Sequence, residues 1–245
     1  MRHLIFLTFL LLISCKTQNV NHLADIDGTY LYLNKEDKEI DADMEAMIAP
    51  YREELSKEMD IVLIQNKKAL KKGKPNCTMG MWITDLLYDY LNYSGFKVDF
   101  AVQNYGGLRV NEVGAGPITV GNIFEVMPFE NMLVILETDG EILQTFCDHL
   151  AASGGWPVSR GITFFIDKTG KATDIKINGE ALKMNKKYRL GVPDYIANGG
   201  SDCAFFKEIA HENSGKLIRE ILLEETKKRG EAGEVLNIEL EKRIK

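Results

Sequence analysis

Hydrolytic chemistry needs a nucleophile, a group to accept its proton and something to stabilise developing charge. This sequence offers few residues for that work. Beyond His3 it holds three histidines, His22, His149 and His211. A two-metal hydrolytic centre gathers several His and Asp ligands from separate loops and holds its ions ~3.5–4 Å apart. Three scattered histidines do not supply such a set, and the sequence contains neither an HExxH pair nor a Gly-x-Ser-x-Gly elbow. Gly114-Ala115-Gly116 lacks the Lys-Ser/Thr of a phosphate loop and reads as plain loop. The histidines are therefore read as surface residues. No residue is assigned a catalytic or metal-binding role, and no cofactor is expected on this chain. Cys77, Cys147 and Cys203 show no CxxC or metal-like spacing and read as small buried hydrophobes. Their odd number leaves at least one thiol free in an exported protein.

The N-terminus predicts export. Arg2 and His3 precede an apolar run from Leu4 to Ile13, interrupted only by Thr8. That run falls short of the ~20 helical residues that cross a bilayer and has the form of a secretory signal. It ends in Leu12-Ile13-Ser14-Cys15, which resembles a bacterial lipobox. The reading is a signal peptide over 1–14, a lipidated Cys15, a tether over 15–25 and one domain over 26–245, anchored in a bacterial cell envelope by acyl chains. A formal charge of −6 does not fit nucleic-acid binding, which needs a clustered basic face. The one basic run, five lysines between Lys67 and Lys74, is read as a solvated edge, with a phosphate-facing role as the alternative. With 45% hydrophobic and 27% charged residues, the chain can bury a core.

The elements follow from periodicity. Met79, Trp82, Ile83, Leu86, Leu87, Tyr90 and Leu91 repeat at helical spacing, so 78–93 is expected to be an amphipathic helix ending at Gly95. A helix is also predicted over 43–57, with Pro50 bending or breaking it. Further helices are expected at 120–126, 140–150 and around 217–222. Strands are expected at 61–65, 98–103, 132–137, 162–167, 174–177, 188–192 and 235–240, with Asn178-Gly179 as a hairpin turn. Interleaved helices and strands with hairpin neighbours predict an α+β (mixed α/β) fold rather than a doubly wound parallel sheet.

Four segments, in order, carry a resemblance to the C-terminal domain of the 5′-nucleotidases over about residues 77–206. They are Asn76-Cys77-Thr78-Met79-Gly80, Asn104-Tyr105-Gly106-Gly107-Leu108-Arg109, Val126-Met127-Pro128-Phe129-Glu130-Asn131 and Val192-Pro193-Asp194-Tyr195-Ile196-Ala197-Asn198-Gly199-Gly200-Ser201-Asp202. The resemblance implies a four-layer α/β/β/α sandwich and a substrate-recognition role. It implies that Phe129 and Tyr195 clamp a nucleobase, that Asn131 bonds the base edge, and that Asn104 and Arg109 lie at the ligand. Aromatic stacking on a base contributes ~1–3 kcal/mol, and an arginine fork suits phosphate. Three positions depart from the family. Ser201 stands where it carries an aspartate for the ribose, leaving Asp202 one residue later. Glu130 replaces a glycine. The arginines ahead of the helix are absent, leaving Lys72 or Lys74 as substitutes.

The family's metal-bearing catalytic domain, with its Asp-x-His and Gly-Asn-His motifs, has no counterpart in the sequence. The expectation is a nucleotide- or nucleoside-recognising lipoprotein that works with a separate metallophosphoesterase chain carrying divalent metal ions. The alternatives are a stand-alone binding lipoprotein for capture or uptake, and an envelope structural protein with a degenerate site.

Overall fold

Strand β6 (Met132–Asp139) organises the molecule, because its side chains alternate between two separate cores. Leu133 and Ile135 enter one core; Val134 and Leu136 enter the other. A strand buried on both faces must sit inside a sheet, and this one does. The order of that sheet is β11 (His211–Leu217), β6, β10 (Lys187–Pro193), β3 (Phe100–Ala101). β6 runs antiparallel to both of its neighbours, and β10 runs parallel to β3.

The structure is a computed structural model and describes residues 41–245. The expected signal peptide, lipidation site at Cys15 and tether, and His22, lie outside the described residues. Residues Ile48–Lys245 form one compact unit.

Against the Leu133/Ile135 face pack helix α2 (Thr78–Tyr93) and helix α6 (Ile218–Glu231), through Ile83, Leu87, Ile221 and Leu222. The same core takes Leu63 and Ile64 of β1 (Val62–Asn66), which lies between β5 (Gly116–Thr119) and β12 (Val235–Leu236). It also takes Leu70 and Val113 from a short antiparallel ribbon, β2 (Leu70–Lys71) with β4 (Glu112–Val113). Against the other face packs helix α4 (Gly140–Ala152), through Leu143, Phe146 and Leu150. It is backed by the sheet β7 (Ile162–Ile166), β8 (Ala172–Ile177) and β9 (Glu180–Ala181). Fully burying one Leu, Ile or Phe contributes ~1.5–3 kcal/mol, so the two cores carry most of the stability. The class is mixed α/β, as the interleaved periodicities predict.

The hairpin signal also holds. Asn178 at φ 52° and Gly179 at φ 83° join β8 to β9, the two left-handed residues such a turn requires. Three other expectations need correction. Helix α1 (Ala42–Met59) runs through Pro50 without a break, and none of its residues is buried, Met47 and Tyr51 included. The strand expected over 98–103 is assigned only at Phe100–Ala101, although Asp99 and Val102 N–H also donate to the Arg189 and Gly191 carbonyls of β10; Val102 bridges Val158 as well. The last strand is two residues long, not six. β11 lacks a sequence signal altogether: His-Glu-Asn-Ser-Gly-Lys-Leu has no apolar alternation, because it is an edge strand with one neighbour.

Candidate functional site

Three loops at one end of the central sheet converge on a cleft of about 430 Å³. The first leaves β3. Gln103 N–H donates to the Pro157 carbonyl at 3.0 Å, and a single 3-10 turn, Tyr105–Gly107, follows. Arg109 N–H then donates to the Val126 carbonyl at 3.0 Å, which ties this loop to the end of the next. Asn104, Gly106, Gly107 and Arg109 form this wall.

The second loop follows helix α3 (Val120–Val126). That helix opens with a reciprocal capping box between Thr119 and Asn122. Its exit carries Phe129 and Asn131. Arg219 of α6 fixes the exit: its Nη1 donates to the carbonyls of Pro128 at 2.8 Å and Phe129 at 3.3 Å. The same guanidinium lies 4.5 Å from the Phe124 ring centroid and 3.7 Å from the Glu130 carboxylate. Glu130, which replaces the family glycine, is thus paired with Arg219.

The third loop begins with the one-turn helix α5 (Asp194–Ala197), entered through Pro193. The chain then folds back on Tyr195. Gly200 N–H donates to the Tyr195 carbonyl at 2.8 Å, and Ser201 N–H to the Tyr195 hydroxyl at 3.2 Å. Ser201 and Asp202 both take left-handed backbone angles, φ 52° and 61°. This tight turn directs Ser201 to the cleft.

The cleft therefore brings together Asn104, Arg109, Phe129, Asn131 and Tyr195. Asp202 is exposed and is not among the lining residues; Ser201 takes that place. Phe129 is 40% exposed and Tyr195 48%, a cost for two large rings in a molecule that buries Phe100, Phe146, Phe164 and Phe206 completely. Such rings can stack a flat ligand from either side. The Arg109 guanidinium lies 5.4 Å from the Phe129 ring centroid, a cation–π contact that orients the fork at the mouth.

More positive charge stands behind Arg109. Lys72 Nζ lies 4.2 Å and Lys74 Nζ 4.6 Å from the Tyr105 ring centroid. Lys72 also donates to the Leu108 carbonyl at 2.7 Å. Partial burial, and after it the Arg109 charge, hold the Lys72 ammonium below the usual lysine range. Two lysines of the run read as a solvated edge are therefore part of the surroundings of the cleft.

Among the described residues, no group of three or more His, Cys, Asp or Glu side chains is placed to hold a metal ion. His211 is exposed. His149, expected at the surface, is half-buried instead, edge-on to Trp156 at 5.3 Å and to Phe205 at 6.1 Å, because α4 turns it into the second core. Cys77, Cys147 and Cys203 are all buried free thiols. The described side chains around the cleft do not supply the ligand set of a hydrolytic metal centre. What this cleft can do is stack, ion-pair and hydrogen-bond.

Comparison with known proteins identifies the family. The family model for the 5′-nucleotidase C-terminal domain matches residues 57–208. The chain belongs to that family. A 5′-nucleotidase of Vibrio vulnificus is 26% identical over 215 residues, covering 84% of this chain and 38% of that protein. Protein UshA of Salmonella pullorum is 31% identical over 131 residues, covering 51% of this chain and 24% of that protein. Among solved structures, a 5′-nucleotidase precursor from Thermus thermophilus superposes with a TM-score of 0.71 at 28% identity, over 82% of this chain and 42% of that one. The chain spans less than half the length of these relatives. All the lining residues of this 5′-nucleotidase C-terminal domain fall inside the matched region, whereas Arg219 falls outside it. Arg219 is the supporting residue that sequence reading missed; Gly200 and Ser201 stand in the fourth motif, Ser201 as the departure from the family's aspartate. The paired glycines flag a tight turn at 199–200. Nothing local marks Arg219, which meets Phe129 across 90 positions.

Proposed function

We propose that this chain is the nucleotide- or nucleoside-recognition part of a 5′-nucleotidase-type phosphohydrolase, acting with a separate metallophosphoesterase chain that carries divalent metal ions. One observation carries the reading: Phe129 and Tyr195, two solvent-exposed rings from loops far apart in sequence, line one cleft with Arg109 at its mouth. Flat heterocycles stack on such rings without a demand for one base, and a guanidinium beside them suits a phosphate. The names of the relatives, 5′-nucleotidase among them, point the same way.

In this reading Phe129 and Tyr195 hold the base, Asn131 bonds its edge, and Asn104 and Arg109 contact the sugar-phosphate side. Ser201 replaces the ribose-binding aspartate, with Asp202 directed elsewhere. Hydrolysis belongs to the partner, which would take the bound nucleotide's phosphate into its own metal site. Cys15 is the proposed lipid anchor, and the cell envelope the proposed location.

Titration calorimetry with AMP, adenosine and UDP-glucose tests the recognition step. Micromolar binding of any of them, reduced at least about tenfold by Phe129→Ala or Tyr195→Ala, is the expected result. Unchanged affinity in both variants ends the reading. AMP hydrolysis should be absent for the chain alone and appear when a metallophosphoesterase encoded beside it is added with a divalent metal. Binding without any such gain would favour a stand-alone capture protein. Mass spectrometry of the envelope fraction, with Cys15→Ala as control, tests the anchor.

A further inference from the structure

A buried amide behind the cleft has one end bonded and the other unpaired. Gln103 is fully buried, and its Oε1 has no hydrogen-bond partner. Leaving such an atom unsatisfied destabilises a fold. Its Nε2, in contrast, donates to Asn104 Oδ1 at 2.9 Å. The two amides lie directly against Gly107: a Cβ there would come within 2.2 Å of Gln103 Nε2 and 2.8 Å of Asn104 Oδ1. The missing side chain at Gly107 is what makes room for the bond.

A side-chain amide has an accepting end and a donating end. The bond from Gln103 occupies the accepting end of Asn104. The donating end, Nδ2, lies on the Gly106 side, 3.8 Å from where a Gly106 Cβ would stand, and Gly106 is a wall of the cleft. We infer that Gln103 is a positioning residue that locks the Asn104 amide with its N–H group toward the cleft, so that this site selects a ligand presenting a lone pair there, such as a ring nitrogen, a carbonyl or a sugar oxygen, rather than a donor. Asn104 is only 7% exposed, so it cannot turn over freely once that bond is made.

The inference rests on the nucleotide reading for its ligand but not for its geometry, and the experiment separates the two. Gln103→Met keeps the volume, removes the donor and removes the orphan carbonyl. Its thermal midpoint should equal or exceed that of the unaltered chain, which a merely structural glutamine would not allow. In the ligand-free protein, the Asn104 side-chain amide pair, identified by its loss in Asn104→Ala, should move toward free-asparagine shifts or broaden. With AMP as probe, affinity should fall about tenfold in Gln103→Met and in Asn104→Ala, and the double variant should lose no more than Asn104→Ala alone. Unchanged Asn104 resonances in Gln103→Met, additive losses, or a fall in midpoint would overturn the inference. If the unaltered chain binds neither AMP nor adenosine, the nucleotide reading fails while the resonance comparison still decides the role of Gln103.

Discussion

The backbone N–H of Ser201 donates to the hydroxyl of Tyr195 at 3.2 Å, so the ring that lines the cleft is held at its far end by the turn that follows it. Gly200 completes the grip. A Cβ at that position would stand 2.5 Å from the ring carbons Cε2 and Cζ and equally close to the Tyr195 carbonyl. Backbone is among the blocking atoms, so a small rotation of the ring is no escape. Gly200→Ala should therefore push the ring from its place, lower AMP affinity about tenfold and cost about 1–3 kcal/mol of stability in urea unfolding. Tyr195→Phe removes only the Ser201 bond and keeps the stacking face. Its affinity should stay within about threefold of the unaltered chain. If Gly200→Ala binds normally, the turn does not position the ring.

Arg219 does for Phe129 what the Ser201 turn does for Tyr195, from a helix whose Ile218, Ile221 and Leu222 pack into the first core. Its two carbonyl contacts and its place over Phe124 make it a brace for the whole 124–130 segment. Arg219→Met keeps much of the stem and loses both donors. The expected result is an about tenfold weaker AMP complex, since charge-assisted bonds contribute about 1.5–3 kcal/mol each. Arg219→Lys should restore little of it, because an ammonium cannot reach two carbonyls and cover a ring together. Full rescue by lysine would show that charge alone matters there.

These braces mark the limit of what the sequence discloses. The helix over 78–93 and the alternation within β6 are legible because burial imposes a period on apolar residues. The rings at 129 and 195 are legible only through the motifs around them, for an isolated Phe or Tyr reads as core. Arg219 carries no local signal, because its role is made by a contact 90 positions away. That Ser201 stands at the family's aspartate position is legible in the motif, but the choice of Ser201 over Asp202 at the cleft is not. It depends on two consecutive left-handed residues, which neither serine nor aspartate announces.

Lys72 gives the cleft a pH dependence with a definite sign. Its ammonium is disfavoured by partial burial first and by Arg109 second, so its proton leaves below the usual lysine range. A phosphate bound beside Arg109 would relieve that penalty and draw the proton back. Affinity for AMP should therefore fall as pH rises through the lowered Lys72 range, while affinity for adenosine stays flat. The ratio of the two, measured by calorimetry at several pH values, isolates the effect. Lys72→Met should flatten it. A ratio that ignores pH in the unaltered chain would place Lys72 outside the ligand's field.

Cys203 supplies an independent check on the second core. Burial, and after it the neighbouring Asp202 charge, push its thiol up to about 12 from an ordinary 9.0. An acid whose folded pKa is raised stays protonated in the fold while the unfolded chain ionises. Its contribution to stability is therefore intact below pH 9 and is lost as pH climbs toward 12. The urea midpoint of the chain should fall across that window, and Cys203→Ala should fall less steeply, by about the slope of one proton. Cys147, whose thiol is raised by burial and then by Asp148, remains in that variant and keeps part of the slope. All three buried thiols should ignore a thiol reagent in native buffer at about pH 8 and react together in urea. Reaction of Cys147 or Cys203 in the folded chain, or identical slopes in the two proteins, would mean that this core is open to water where the packing says it is closed.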